Sequence, residues 1–351
     1  MQNTSFSTQN SEDFQIFMVF LAWAIAASFA KNEGYSATIG VNYGFNGDNL
    51  PPPATVIDLY QRCNISVARI FEPRAEVLEA WRGKPTTLIL GTRNEDVQSF
   101  AKDQQAATNW IATFVLPYIN DVNIAYITVG NEIIPSPVAQ FIAQAIKNLL
   151  TAISNAQITK HIQVTTVMSA APLASSFPPS AGAFSEETVL ILKDIAAILS
   201  QQGTPMMINV YPYFAYASNP KDISLDYALF RSPKDVVIDG NFKYSNLFDA
   251  MIDAFHAGFE KIGFPNTILY VTETGWPSAG NEPYTTIDNA ATYNKNLLAH
   301  VGSNGTPRRS NEPINTIYFA LFNEDLKPAG VEQNFGFFYP SLQRVYPFWS
   351  C

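Results

Sequence analysis

Residues 266–280 read NTILYVTETGWPSAG, and this stretch combines an apolar run with an abrupt stop. The run has the length and the β-branched content of a buried strand, and Gly275 and Pro277 end it. Glu273 lies at the end of this predicted strand, where an unpaired carboxylate is costly to bury. The stretch therefore predicts a strand that carries one acidic side chain either to a structural partner or to a chemical task.

Similar apolar runs recur along the chain and alternate with longer segments of helical periodicity. Continuous apolar runs are typical of parallel strands that are covered on both faces. Eight of them in one undivided chain predict a single (β/α)8 TIM barrel of the α/β class, with an open doubly wound sheet as the alternative. No G-x-G-x-x-G pattern follows the first run, which counts against a dinucleotide site. The predicted strands are 37–43, 66–71, 86–91, 124–130, 162–168, 206–213, 267–273 and 315–322.

The composition narrows the classes of partner. The 351 residues are 47% hydrophobic and 15% charged, with a formal net charge of −9 and no cluster of Lys or Arg. Phosphate binding needs concentrated positive charge, so we expect no nucleic acid partner. The three histidines are scattered, and no Cys/His spacing suits zinc. We therefore expect no metal and no cofactor.

The N-terminal segment resembles an export signal. Residues 14–30 are uncharged and end in small residues, as in a secretory signal peptide, and they are short for a membrane span. The residues before them contain Glu12 and Asp13 but no base, so a retained anchor or a misassigned start codon stays open as the alternative. We expect residues 1–30 to be removed and residues 31–351 to form one secreted domain with no stable membrane insertion.

Two further features concern processing. Cys63 and Cys351 do not make a disulfide framework, and a bridge between them requires the two ends of the domain to meet, which the sequence does not show. Asn64 and Asn304 lie in sequons for N-glycosylation, and the second is the poorer candidate because Pro307 follows it.

Two carboxylates are predicted at the carboxyl ends of strands in the barrel. Barrel enzymes carry their chemistry at the carboxyl ends of the strands. The fourth strand ends at Asn131 and Glu132, and the seventh ends at Glu273. These strands lie on roughly opposite sides of an eight-stranded ring, so the two carboxyls can face each other and cleave a glycosidic bond. An isolated Glu at a strand end is more often a helix cap or a member of a weak surface ion pair.

Other rim residues strengthen the prediction because several coincide at one end of the barrel. Asn131 is placed to hydrogen-bond a sugar hydroxyl, and aromatic residues follow the sixth and seventh strands. Glu324 and Lys327 could instead form a rim ion pair, and Trp276 could be a packed lid over the core. The remaining candidates for substrate binding are Tyr43, Phe71, Tyr211, Phe214 and Glu332.

The motif ILYVTETGWPSAG resembles the signature of plant β-1,3-glucanases, glycoside hydrolase family 17. Further matching segments cover nearly all of the chain after residue 36: IGVNYGFNGDNLPPP, VGNE, SFPPSAGAF, INVYPYFAY, ISLDYALF and FNEDLKPAGVEQNFGFF. The resemblance implies a (β/α)8 barrel and a retaining reaction, with Glu132 as acid/base and Glu273 as nucleophile. It also implies a supporting polar cluster of Glu324, Lys327 and Glu332, and substrate contacts by Tyr43, Asn131, Tyr211 and Phe214.

Two residues depart from the pattern of that family. Phe71 stands where the family usually has tyrosine, which keeps a ring for stacking but removes a hydroxyl. Arg93 stands where small residues or proline are more usual. We expect a monomeric, secreted plant defence enzyme, apoplastic or vacuolar, that cuts interior bonds of β-glucan in callose-like or fungal walls. The alternatives are a mixed-linkage β-1,3-1,4-glucanase and a glucan-binding paralogue with little catalysis.

Overall fold

The structure, a computed structural model, describes residues 37–302 and 305–351. The predicted signal peptide and Asn304 lie outside the described residues. In the part that is described, no helix combines the length and the apolar character that crossing a membrane requires.

Eight parallel strands close into a barrel, which confirms the predicted fold and excludes the open sheet. Around the ring their order is β1-β8-β7-β6-β5-β4-β3-β2. The barrel strands are β1 (Ile39–Tyr43), β2 (Val67–Ile70), β3 (Thr87–Gly91), β4 (Asn123–Asn131), β5 (Gln163–Met168), β6 (Met206–Asn209), β7 (Leu269–Thr274) and β8 (Thr316–Tyr318).

Helices fill the connections between these strands, and amphipathic faces bury them against the barrel. They are α1 (Pro53–Arg62), α2 (Ala75–Ala80), α3 (Val97–Lys102), α4 (Gln104–Phe114), α5 (Ile142–Asn155), α6 (Glu186–Gln202), α7 (Pro212–Ser218), α8 (Leu225–Ala228), α9 (Leu247–Lys261) and α10 (Ile287–Val301).

Two short antiparallel hairpins stand outside the barrel. The first hairpin pairs Leu173–Ser175 with Ala183–Phe184, and the second hairpin pairs Val237–Asp239 with Phe242–Tyr244. The hairpins are joined because Asp239 accepts hydrogen bonds of 2.6 Å from both the backbone N–H and the hydroxyl of Ser180. Together they form a wall beside the carboxyl ends of the strands.

The sixth and eighth predicted strands, 206–213 and 315–322, run well past the ends of the observed ones. The sixth ends at Asn209 and not at 213, because Pro212 takes the first position of α7, where its missing N–H costs nothing. The eighth ends at Tyr318, although the N–H of Phe319 still donates to Thr274 on β7 and that of Leu321 to Asn42 on β1. Ala320 and Leu321 also exchange backbone hydrogen bonds with residues 335–338.

Apolar side chains fill the barrel interior at one level. Polar side chains occupy the level above it. The apolar layer consists of Val67, Ile89, Val167, Met207, Tyr270 and Ile317. Two residues beyond Val67 on β2, the side chain of Arg69 is fully buried in the barrel. A buried guanidinium at this level requires anionic or amide partners.

A disulfide joins Cys63, directly after α1, to Cys351, with 4.6 Å between their Cα atoms. The first helix and the end of the chain therefore meet, which the sequence left open. Next to this bridge, Asn64 is exposed with φ of 53°, so its sequon lies at the surface.

Replacing both cysteines, Cys63→Ala with Cys351→Ser, should lower the free energy of unfolding by about 2–5 kcal/mol, because the bridge restricts the unfolded chain over a long loop. The loop spans 288 residues. The midpoint of guanidinium denaturation measures the loss. Ser350→Ala is the control, and equal midpoints for the double variant and the control would contradict the stabilising role.

Candidate active site

A cleft of about 1370 Å³ lies at the carboxyl ends of the barrel strands. Nine of the eleven predicted site residues line it, which brings residues far apart in the chain to one surface. They are Phe71, Asn131, Glu132, Tyr211, Phe214, Glu273, Glu324, Lys327 and Glu332.

Tyr43 and Trp276 do not line the cleft, contrary to the prediction that they contact substrate. Trp276 is fully buried, packs on the ring of Tyr213 and donates its indole N–H to the backbone carbonyl of Tyr284 at 3.0 Å. Tyr43 is 2% exposed and packs edge-on against Phe45. Both are core residues, because aromatic rings that follow a strand pack beneath the loops as readily as above them.

The carboxylate of Glu273 is held at both oxygens. Its Oε1 pairs with Nη1 of Arg69 at 2.7 Å, and its Oε2 accepts the hydroxyl of Tyr211 at 2.8 Å. The residue is 6% exposed. Both contacts orient the carboxyl within the cleft.

Arg69 is a site residue that sequence reasoning missed. Its guanidinium bonds Glu273, and its Nη2 donates to Oδ1 of Asn131 at 2.8 Å. A third contact, 3.2 Å long, joins Nη1 to Oδ1 of Asn42. An arginine inside an otherwise apolar strand run was the available signal, since such a charge must find a partner in the barrel.

Tyr211 has a partner that the sequence did not predict. Its ring lines the cleft, but its hydroxyl is bound to Glu273. Burial, followed by the negative charge of Glu273, raises the pKa of the Tyr211 hydroxyl well above its usual value. The neutral hydroxyl therefore remains a donor to the carboxylate.

Glu132 sits in a contrasting environment. As a whole residue it is exposed at the cleft mouth, but its Oε1 accepts a hydrogen bond of 2.7 Å from Nδ2 of the buried Asn209. Desolvation of the carboxyl raises the pKa of Glu132, and the charge of Glu273 raises it further. The Asn209 hydrogen bond and the charge of Arg69 lower it by smaller amounts. The net shift is upward, which favours a protonated carboxyl.

One hydrogen-bonded network connects the two acidic residues. Asn209 donates to Glu132 and also to Oδ1 of Asn131 at 3.3 Å, and Arg69 donates to the same Asn131 oxygen. The side-chain oxygen of Asn131 is therefore bound within the protein, and the contact between Asn131 and a sugar hydroxyl stays a prediction. Asn209 is the second residue that sequence reasoning missed; its position at the end of the sixth strand was the available signal.

Irregularities in the backbone of two strands orient the carboxyl groups of Glu132 and Glu273. On β7 the register with β6 shifts between Val271 and Glu273. On β4 the register with β5 shifts between Thr128 and Asn131, and the next residue, Glu132, has a left-handed φ of 56°. Such irregularities redirect side chains beside functional sites, and a positive φ in a residue other than glycine is strained.

The predicted polar cluster contains one ion pair. Oε1 of Glu324 accepts the backbone N–H of Asn46 at 2.7 Å, and its Oε2 lies 3.3 Å from Nζ of Lys327. That ammonium also lies 4.1 Å from the ring centre of Phe319 in the cleft wall. Glu332 lines the cleft and contributes to raising the pKa of Glu132.

The two departures from the family pattern both lie in the cleft wall. Phe71 is half-buried, with the guanidinium carbon of Arg69 4.5 Å from its ring centre. Arg93 is bound through two nitrogens to the carboxylate of Asp96, at 2.8 and 2.7 Å. Neither residue touches the carboxyl of Glu132 or Glu273 through a hydrogen bond among the residues 37–302 and 305–351.

Comparisons with known proteins identify the family of this chain. The model of the family "Glycosyl hydrolases family 17" matches residues 39–348. The chain is 43% identical over 338 residues to "Probable glucan endo-1,3-beta-glucosidase BG4" of Arabidopsis thaliana, covering 95% of this chain and 97% of that protein. It is 44% identical over 310 residues to "Putative glucan endo-1,3-beta-glucosidase GVI" of Hordeum vulgare, covering 88% and 95%.

Solved structures give the same result. The pollen protein "CJP38, a beta-1,3-glucanase and allergen of Cryptomeria japonica pollen" superposes with a TM-score of 0.85 at 44% identity, covering 88% of this chain and 98% of that one. A chain from the study of "two plant beta-glucan endohydrolases with distinct substrate specificities" has a TM-score of 0.84 at 38% identity, covering 88% and 99%.

Proposed function

Because this chain belongs to glycosyl hydrolase family 17, we propose that it cleaves interior β-1,3-glucosidic bonds, with Glu132 and Glu273 as its catalytic carboxyls. The observation that carries the proposal is that the two carboxyls in the cleft have different environments. Glu273 is held by Arg69 and Tyr211, while burial raises the pKa of Glu132. Pairs of carboxyls whose environments separate their proton affinities are the pattern of acid and nucleophile roles.

In the first step, the protonated carboxyl of Glu132 donates its proton to the glycosidic oxygen. The carboxylate of Glu273 attacks the anomeric carbon from the opposite face, and the bond to the leaving sugar breaks. The product is a covalent glycosyl–enzyme ester. The ion pair with Arg69 suits this role, because it holds the carboxyl of Glu273 in one orientation within the cleft.

In the second step, the roles of Glu132 reverse. Its carboxylate, now deprotonated, takes a proton from water while the water oxygen attacks the anomeric carbon. The ester bond to Glu273 breaks and its carboxylate is restored. Two displacements at one carbon retain the β configuration in the product.

The rest of the cleft fits a neutral polysaccharide. Acidic side chains outnumber basic ones along the wall, with Glu72, Glu95, Glu324 and Glu332 against Arg93 and Lys327. Phe71 and Phe214 present aromatic surface on which the C–H faces of pyranose rings can pack. An uncharged glucan meets no repulsion there, whereas an anionic polymer does.

The proposal is tested by product analysis on two polymers. With laminarin we expect short oligosaccharides at early times, and the β anomer first in the NMR spectrum. With barley mixed-linkage glucan we expect little release of oligosaccharides. Only the shape of the subsites separates a β-1,3-glucanase from a mixed-linkage glucanase, so the test compares both polymers. Preferential cleavage of barley glucan would support the mixed-linkage alternative, and binding of laminarin without new reducing ends would support the weakly catalytic one.

Asn209→Ala should shift the pH profile, because the Asn209 hydrogen bond lowers the pKa of Glu132. Without it the pKa rises further, and the acid stays protonated to higher pH. We expect the alkaline limb of kcat/KM on laminarin to move upward, with about a tenfold loss at the optimum from the looser carboxyl. Asn148→Ala, which removes an amide bound to the backbone of Phe100, is the control for general destabilisation. An unmoved alkaline limb in the Asn209 variant would contradict this role.

We also propose that the protein is exported from the cytoplasm. The bridge between Cys63 and Cys351 is typical of oxidising compartments such as the cell exterior. Among the described residues, Arg69 and Tyr211 bind Glu273 and Asn209 binds Glu132 within one chain, which supports the proposal of a monomeric enzyme. The proposed location is the apoplast or cell wall, with the vacuole as the alternative.

A further inference from the structure

The strand that leads to the proposed acid extends further than its neighbour on one side. The paired residues of β3 and β4 end at Gly91 and Thr128, but β4 continues to Asn131. Backbone N–H and C=O groups beyond the paired region need other partners, because an unpaired backbone group in the barrel wall is costly. Two side chains from the segment that follows β3, those of Thr92 and Asn94, bind these groups.

The side chain of Asn94 binds both backbone groups of one residue. Its Oδ1 accepts the N–H of Asn131 at 2.7 Å, and its Nδ2 donates to the carbonyl of Asn131 at 3.1 Å. This contact reproduces the two hydrogen bonds that facing residues exchange between antiparallel strands. Oγ1 of Thr92 accepts the neighbouring N–H of Gly130 at 3.0 Å. A side-chain amide offers a donor and an acceptor together, so the contact depends on the residue type at position 94.

The backbone held in this way orients Glu132. Gly130 and Glu132, on either side of Asn131, have left-handed φ angles of 68° and 56°. Strained conformations of this kind persist only where the surrounding contacts fix them. On the side of β5, the N–H of Glu132 donates to the carbonyl of Val167 at 3.0 Å. On the side of β3, Asn94 fixes the residue that precedes Glu132.

The glycine at position 130 fits this close approach. A Cβ atom on Gly130 would lie 3.1 Å from Oδ1 of Asn94 and 2.9 Å from Cδ1 of Ile133. Either distance is shorter than an ordinary van der Waals contact. A larger residue at position 130 would therefore press on the amide that holds the strand.

Burial does not account for the position of Asn94. The residue is exposed and lines the cleft, so its amide could hydrogen-bond water. It instead makes two hydrogen bonds to the peptide groups of Asn131, directly before the strained Glu132. The placement of a reacting group matters for the rate, because a displacement of about 1 Å can cost about 100-fold.

We infer that Asn94 is a positioning residue for the general acid, because it holds the backbone of Asn131 and so directs the carboxyl of Glu132 toward the glycosidic oxygen. Asn94 acts through Glu132 and takes no part in proton transfer itself. The inference rests on the proposed function, in which Glu132 is the proton donor. It gives the amide at the exit of the third strand a role in catalysis.

The test compares two substrates. Asn94→Ala should lower kcat/KM on laminarin about 10–100-fold, because the leaving oxygen needs the proton of Glu132. On a dinitrophenyl laminarioside, whose leaving group needs no proton, the loss should be at most about twofold. Asn315→Ala is the matched control, since Oδ1 of Asn315 accepts the N–H of Thr38 at 2.9 Å at the opposite end of the barrel. The control should leave both values unchanged.

A double variant separates positioning from a general loss of stability. In the Glu132→Gln background there is no proton donor to position, so the addition of Asn94→Ala should cause no further loss on laminarin. A general loss of stability would instead lower activity on both substrates and in both backgrounds. Circular dichroism at the assay temperature establishes that each variant is folded. Asn94→Asp, which keeps the shape but sets an oxygen against the Asn131 carbonyl, is the second variant and should show the same selective loss.

Three outcomes would overturn the inference alone. They are normal laminarin hydrolysis by Asn94→Ala, equal losses on the two substrates, and a further loss when Asn94→Ala is added to Glu132→Gln. The proposed function fails separately, and this inference with it, if the unmodified enzyme does not hydrolyse laminarin or if Glu132→Gln loses equally on both substrates. The unmodified enzyme and the Glu132→Gln single variant therefore distinguish the two failures.

Discussion

The Glu273→Ala variant is expected to lose at least about 10⁴-fold in kcat for laminarin, as enzymes do when a catalytic nucleophile is removed. In the proposed mechanism Glu273 forms the glycosyl–enzyme ester, and among the described residues it alone is bound by both Arg69 and Tyr211. Reducing-end release at substrate saturation measures the loss. Azide should restore turnover of an activated aryl glucoside and give the α-glycosyl azide, since a single displacement inverts the carbon.

The same substitution leaves the buried guanidinium of Arg69 without its anion. Breaking a buried ion pair costs about 3–5 kcal/mol of folding free energy, so activity must be compared in protein shown to be folded by circular dichroism. Glu273→Gln keeps an oxygen for Arg69 and serves as the second variant. Glu282→Ala, an exposed acid downstream of the same strand, is the control. Normal laminarin hydrolysis by a folded Glu273 variant would disprove the assignment.

The Glu132→Gln variant is expected to lose about 10²–10⁴-fold in kcat/KM on laminarin, the usual contribution of a general acid. A substrate whose leaving group needs no proton, such as a dinitrophenyl laminarioside, should lose far less in the first step. Comparison of the two substrates therefore isolates proton donation from binding. Similar losses on both would contradict the acid role.

The pH profile gives an independent check on Glu132. Desolvation and the charge of Glu273 raise its pKa, so the protonated acid persists to higher pH than an ordinary glutamate. In the unmodified enzyme, kcat/KM should fall as pH rises through this pKa, because the proton donor is lost. The Glu132→Gln variant should lack that alkaline limb. A variant with the limb unchanged would assign it to another group.

Several features of this protein are predictable from local patterns in its sequence. The apolar runs predicted the eight barrel strands because strands covered on both faces must be apolar throughout. The places where those runs stop predicted that Glu132 and Glu273 share one end of the barrel. Strand ends were less predictable: Pro212 ends one strand early, since a residue that cannot donate to a ladder suits the start of a helix.

Side-chain partners were the main source of error. Trp276 was predicted at the substrate and lies in the core, because a glycine–tryptophan–proline turn has the same sequence whether its ring faces up or down. Asn131 and Tyr211 line the cleft, but the sequence did not predict that Asn131 accepts a hydrogen bond from Arg69 or that Tyr211 donates one to Glu273. A short polar side chain at the rim of the barrel can hydrogen-bond either a protein group or a substrate. Only the tertiary packing around it decides which partner it takes.

The apolar runs and the residue types at their ends are local features of the sequence. The barrel and the position of its two acidic residues were therefore predictable from the sequence alone. The register shifts that aim those acids, the arginine and asparagine that bind them, and the bridge from Cys63 to Cys351 depend on strands distant in sequence. The raised pKa of Glu132 arises from desolvation and from the charge of Glu273 across the barrel. Both depend on contacts that form only when the barrel closes.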